Sequence, residues 1–321
     1  MRKWIITATI TLLFLSACSQ NEKQQEAEKE ANQTDEKVTQ DSNLPYLVQS
    51  EELTIEHIHG IGYNLKNELL VATHHGLKMN RDGIWYETTQ NLHDYMGFQV
   101  TENGFLVSGH PEEGSSLENP LGLVRASNYG EQLEPIQFSG ESDFHFLGAS
   151  FSDQDLYVIN EQPNSLLDQG FYHSPDAGQS FNQPEMAGFD ADSFGMIAVH
   201  PSNGKIVAMA TRQGVYGSED SGKTFSKWVD GMITALAFSN EQLIYSTVSD
   251  EGTISLQSYS IKNRKTSPIT IPHLDYDNPI TYIAVSPTDA NQIAITTYDL
   301  DILQTKDFGA NWEPLIQDGK M

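Results

Sequence analysis

A short apolar quartet recurs six times along this chain, as GIGY (60–63), FQVT (98–101), GASF (148–151), IAVH (197–200), LAFS (236–239) and IAVS (283–286). Self-similarity at intervals of about 40 to 50 residues is the mark of a propeller or a solenoid. After most quartets come a short polar turn and a second β-rich run, successively ELLVAT, NGFLVSG, QDLYVIN, GKIVAMA, EQLIYST and NQIAITT. Strand, polar turn and strand in each period make an antiparallel hairpin, and residues 44–321 carry no helix-period pattern of useful length. The expectation is an all-β chain, a β-propeller of six four-stranded blades, closed so that only short edges remain. Residues 46–55 could supply a further closing strand, which leaves seven blades as the alternative.

A third signature follows later in three of the repeats: SPDAGQSF (174–181), SEDSGKTF (218–225) and TKDFGANW (305–312). In such a turn the carboxylate of Asp176, Asp220 or Asp307 can accept hydrogen bonds from the turn's own amides. Gly178, Gly222 or Gly309 can take the positive φ where the chain reverses. The pattern resembles the Asp-box, or neuraminidase repeat, with weaker versions at Ser127-Asn128-Tyr129-Gly130 and Asn80-Arg81-Asp82-Gly83. That resemblance spans most of residues 55–318 and extends to sialidases, the sortilin ectodomain and photosystem assembly factors. The wording HIHGIGY followed by VATHHGL is most similar to exported bacterial propellers labelled glycosyl hydrolase or sortilin-like. Such a fold hosts unrelated functions, so the resemblance implies architecture rather than chemistry.

The N-terminus predicts an address. Arg2 and Lys3 precede an apolar stretch from Trp4 to Leu15, then Ser16, Ala17 and Cys18. Basic, then apolar, then small residues make an export signal, here 1–17, and the stretch is short of the roughly 20 residues of a membrane span. LSAC resembles the bacterial lipobox, which implies that Cys18, the only cysteine, is lipidated and becomes the mature N-terminus. Residues 18–43, with Val38 as the one sizeable aliphatic, are too polar to bury a core and read as a disordered tether. The expected location is the outer face of the bacterial cytoplasmic membrane, reached through the lipid anchor alone. A net charge of −26 argues against nucleic acid and anionic lipid as partners. Cations, peptides, glycans or another envelope protein fit better.

Aligning the repeats assigns residues to faces. In a propeller the start of each innermost strand and the end of each second strand open on one face, and the Asp-box turns lie on the other. The first face collects His57, His59, His74, His75, His110 and His145, with His93 and His273 in connectors feeding it. Glu56, Asp94, Asp143, Asp192 and Asp299 fall near the same rim. Neutral imidazoles converging with carboxylates suit a transition metal such as zinc or copper. The competing readings of these histidines are hydrogen bonds that orient loops, and a general acid or base.

Two functions follow: a membrane-anchored binding or assembly module with a His-rich face, and a glycoside hydrolase using a pair of the rim carboxylates. Hydrolysis needs two carboxyl groups about 5 Å or about 7 to 9 Å apart, and Glu56, Asp94, Asp143, Asp192 and Asp299 are the weak candidates. Sialidase chemistry, in contrast, requires an arginine triad on the substrate carboxylate. Of Arg81, Arg125, Arg212 and Arg264 only Arg212 falls on the right face, so the triad is missing. No P-loop, dinucleotide fingerprint, GxSxG elbow or HExxH helix is present.

Overall fold

The computed structural model describes residues 45–321; the export signal, Cys18 and the tether lie outside the described residues. Six antiparallel sheets follow one another along the chain, each laid out from its innermost to its outermost strand in sequence order, save for one N-terminal strand added to the edge of the first. The innermost strands are Gly60–Tyr63, Asp94–Thr101, Leu147–Ala149, Ile197–Val199, Met232–Phe238 and Ile280–Val285. Each packs on the next, and the sixth packs on the first, so the ring is a closed six-bladed β-propeller. The only helical turn among the described residues is Asn128–Gly130.

Burial explains why the second strands were legible. Leu69–Thr73, Leu156–Asn160, Val207–Ala210 and Ile293–Thr297 are buried at every position, because neighbouring blades cover both faces of each sheet. A strand covered on both faces reads as a continuous apolar run rather than an alternating one. Outermost strands such as Lys265–Ile269 are exposed nearly throughout and are correspondingly polar. The core is therefore divided into interblade slabs. Leu70, Leu77 and Met79 of the first blade meet Tyr95, Phe98 and Phe105 of the second in one of them.

Six blades are as expected, and two details qualify the ring. Residues 46–55 do not build a seventh blade. Leu47–Gln49 adds a fifth strand to the outer edge of the first blade, pairing with Ile84–Thr88. Residues 53–55 turn instead to the C-terminal turn, where Ile55 N donates to Gly319 O at 2.7 Å and Thr54 bridges Lys320. The third sheet has three regular strands, its fourth position being reduced to a bridge between His173 and Asn182. Pro184 has no N–H to extend that ladder. The following backbone is drawn to the next blade's loop, Ala187 N donating to Lys223 O at 2.9 Å and Phe225 N to Ala187 O at 2.8 Å.

The three SPDAGQSF-type loops fold on one network. Asp220 Oδ1 accepts from Ser218 Oγ and Thr224 N, both at 2.8 Å, while Ser218 Oγ accepts from Gly222 N at 2.9 Å. Asp176 and Asp307 repeat it with Ser180 and Asn311 in the place of Thr224. Gly178, Gly222 and Gly309 have φ of 92°, 80° and 89°. Each glycine also abuts the preceding blade: a Cβ on Gly222 would meet Phe171 Cε1 at 3.0 Å, and one on Gly309 would meet Ile269 Cγ2 at 2.5 Å. Gly309→Ala should therefore cost about 2 to 3 kcal/mol, left-handed strain plus a clash, and Gly222→Ala about 1 to 2 kcal/mol. Urea unfolding of the two variants checks the order; equal costs would mean that the neighbouring blade yields freely.

Candidate functional site at the mouth of the propeller

His57 and His59 precede the first innermost strand, and His74 follows the second strand of the same blade, on the face where strand entrances and exits meet. Asp94 opens the innermost strand of the second blade. Backbone and turn bonds fix His59 and His74. His59 N donates to Ala72 O at 2.9 Å, and Thr73 Oγ1, which donates to Gly76 O and accepts from His75 N, closes the tight turn carrying His74.

The side chains converge. Asp94 Oδ1 lies 3.2 Å from His59 Nε2 and 2.9 Å from His74 Nδ1, and those two nitrogens share a hydrogen bond at 3.3 Å. His57 leans on both rings, with centroids 4.6 Å from His59 and 4.8 Å from His74. His57, His59 and His74 each bring a ring nitrogen within 4.8 Å of the others', a grouping that could hold a metal ion. Asp94 Oδ1 is buried and, despite its two close nitrogens, receives no aligned hydrogen bond. Separations of about 3.3 Å are what ligands bound at about 2.0 to 2.1 Å around a tetrahedral ion adopt.

Protonation favours the ligand form. Burial pushes His59 down to about 4, against the pull of Asp94, and burial followed by the neighbouring His74 lowers His57. Burial lowers His93 and His200 as well. Once unfolded, these imidazoles take up protons near pH 6.5, while the native state refuses them until lower pH. Between those limits the unfolded chain binds more protons, so stability falls on acidification. Asp143, raised by burial, opposes this as a single group. The metal-free protein should thus lose thermal stability steadily from pH 6.5 towards pH 4, as a melting series in chelator would record; a flat series would mean that these rings are solvated.

A second group lies one blade on. His110 ends the second strand of the second blade, Asp143 and His145 precede the third innermost strand, and Glu161 follows the third blade's second strand. Asp143 Oδ2 is 3.2 Å from both His110 Nε2 and His145 Nε2. His110 Nδ1 contacts Asn119 Oδ1 at 2.7 Å and His145 Nδ1 contacts Glu161 Oε2 at 2.9 Å. Asp94 and His110 are direct partners across the second blade's inner hairpin, so the two groups adjoin.

The remaining sequence candidates separate. His75 is exposed and outside both groups. His93 is buried, its Nδ1 accepting from Glu112 N at 2.9 Å, and exposed His273 pairs with Asp275. Gln213 Nε2 donates to Asp192, Asp299 N donates to Asn278 Oδ1 at 2.8 Å, and Glu56 is exposed beside His57. Arg81, Arg125 and Arg264 are each engaged by a carboxylate of their own region, Glu68, Glu134 and Glu219, so no arginine triad forms among them. Glu161 and Asn119 were missed, because only the folded register reveals which acceptor meets the far nitrogen of each imidazole. Beneath the mouth runs a central cavity of about 1000 Å³, lined by Glu56, His57, His59 and His145 and by inner-strand residues such as Leu147, Ile197, Leu236 and Tyr282.

No family model matches the chain, and no curated protein matches it in sequence. Among solved structures it is similar to the GH74 xyloglucanase from Xanthomonas campestris, at 15% identity and a TM-score of 0.53, covering 84% of this chain and 47% of that one. It is also similar to the extracellular domain of a putative one component system from B. thetaiotaomicron, at 11% identity and a TM-score of 0.51, covering 85% of this chain and 35% of that one. The chain thus spans less than half the length of either protein, and likeness at this identity extends to the β-propeller fold alone.

Proposed function

We propose that this chain is a lipid-anchored, extracytoplasmic Asp-box propeller that binds a divalent transition-metal ion, zinc or copper, through His57, His59, His74 and Asp94. It acts as a ligand-binding or assembly module rather than as a hydrolase. The observation that carries the reading is the mutual approach of His59 Nε2, His74 Nδ1 and Asp94 Oδ1 to between 2.9 and 3.3 Å, with the buried oxygen lacking an aligned hydrogen bond. A cation among them would replace the proton shared by His59 and His74 and engage both nitrogens and the oxygen at once, and burial keeps His59 neutral for the purpose. Anchoring rests on the export signal, the LSAC tetrapeptide with its sole cysteine and the polar tether, which together would display the mouth to a peptide, glycan or envelope protein.

A glycoside hydrolase requires two free carboxyl groups flanking the substrate. Asp94 and Asp143 are instead held against imidazoles and Asp192 accepts from Gln213, which leaves a hydrolase only Glu56 and Asp299 of the five candidates. The test is elemental analysis of the full-length chain after chelation and re-equilibration with zinc or copper, beside a His57→Ala/His59→Ala double variant. Bound metal that depends on those two histidines supports the reading. Absence of metal at this centre, or release of reducing sugar from xyloglucan by the metal-free protein, overturns it.

A further inference from the structure

We infer that the mouth holds a second, separate transition-metal centre, built from His110 and His145 through Nε2 and from Asp143 through Oδ2, beside the first centre and on a different ligand set. The argument begins at the far side of each ring. Glu161 is a carboxylate and can only accept, so His145 Nδ1, at 2.9 Å from it, carries the proton. His110 Nδ1 likewise donates to Asn119 Oδ1 at 2.7 Å. With both Nδ1 atoms engaged as donors, Nε2 is the nitrogen each ring has left to serve as a ligand. Each Nε2 lies 3.2 Å from one carboxylate oxygen, Asp143 Oδ2.

Two ring nitrogens this close to an anionic oxygen call for positive charge among them, either protons on the nitrogens or a cation. One divalent cation satisfies both nitrogens, and 3.2 Å matches the edge of about 3.3 Å expected between ligands bound at about 2.0 Å. Glu161 and Asn119 then stand where the outer partners of metal-bound histidines stand, fixing the tautomer and the ring plane. Asp143 is mostly buried while the two rings are 45% and 43% exposed, so a held carboxylate meets rings open to solvent. Three protein ligands leave a position for water or an incoming donor, so this ion should be the more exchangeable of the two.

The experiment uses the full-length chain, stripped by chelation, titrated with zinc and analysed for bound metal after gel filtration. Two zinc ions per chain are expected in the unaltered protein, one in His110→Ala/His145→Ala, one in His57→Ala/His59→Ala and none when all four are replaced. One zinc retained by His110→Ala/His145→Ala and lost from His57→Ala/His59→Ala overturns the second centre and leaves the first. One zinc with the opposite dependence upholds the second and removes the first. No zinc overturns both. His110 and His145 are exposed enough for their loss to spare the fold, and circular dichroism checks that it does. Glu161→Gln, which keeps an acceptor but not the charge, should lower zinc affinity at the second centre about tenfold while sparing the first; unchanged affinity there would place the ion off His145 and overturn this ligand set.

Discussion

His59→Ala removes the stabilisation that zinc confers through the first centre. A ligand that binds only the native state stabilises it by the logarithm of its saturation, about 4 kcal/mol at a thousandfold excess over the dissociation constant. For a domain of this size that corresponds to roughly 10 °C in melting temperature. His59 is the ligand whose loss should matter most. Its side chain is 7% exposed, its backbone is pinned to Ala72, and its Nε2 faces both Asp94 and His74. Asp94→Asn, which preserves shape and removes the charge, should weaken zinc by at least tenfold to a hundredfold, because the buried oxygen is the only anionic atom in the group. His75→Ala, one residue from His74 but outside the cluster, should keep the full shift. Calorimetric scans of the three variants with and without zinc decide the matter. A His59→Ala protein that gains as much from zinc as the unaltered chain would show that the ion binds elsewhere.

The legible part of this protein is the part governed by local periodicity. Quartets such as GIGY and IAVH, followed by runs such as ELLVAT and NQIAITT, placed every inner hairpin, because burial on both sheet faces leaves an uninterrupted apolar record. The loop geometry was equally readable, since the bonds from Asp176, Asp220 and Asp307 close within four residues. The face carrying the histidines followed from repeat alignment. Their partners did not. His57 and His145 occupy equivalent repeat positions, yet one joins His59 and His74 while the other joins His110 and Asp143. A propeller places equivalent positions one blade apart, and contact at the rim is decided by side-chain reach between unlike positions: a strand end such as His74 or His110 against a strand start such as Asp94 or Asp143. Asp94, read as an acid candidate for hydrolysis, is bound up with two imidazoles. The fate of residues 46–55 was undetermined for a similar reason. A short apolar segment before a ring can pair with any free edge, and only the packing of the whole shows that the first blade's outer strand takes it.

Because no blade borrows a strand from both chain ends, ring closure depends on the seam between the first and sixth blades, and Trp85→Ala should be the most damaging single change there. Trp85 is 1% exposed and sits in a slab that joins Leu53, Ile55, Tyr63 and Val71 to Ala294, Ile302 and Ile316 across the seam. Its Nε1 donates to Leu315 O at 3.3 Å, reaching from the first blade's outer strand to the last strand of the chain. Polar stitches run beside it, Gln304 Nε2 to Tyr63 OH at 2.7 Å and Thr288 Oγ1 to Asn67 Oδ1 at 2.7 Å. Those stitches are net contributions of about 1 kcal/mol each, whereas truncating a buried tryptophan costs about 3 to 5 kcal/mol through lost transfer energy and the cavity left behind. Trp85→Phe refills most of the space and forgoes only the hydrogen bond, so its cost should be nearer 1 kcal/mol. Urea unfolding with hydrogen exchange separates the outcomes. If the seam is the weak joint, Trp85→Ala lowers the midpoint and accelerates exchange first in the strands Gly60–Tyr63 and Ile280–Val285, the two that face each other across it. If exchange rises evenly around all six blades instead, the ring opens only as a single cooperative unit and the seam is no weaker than any other interface.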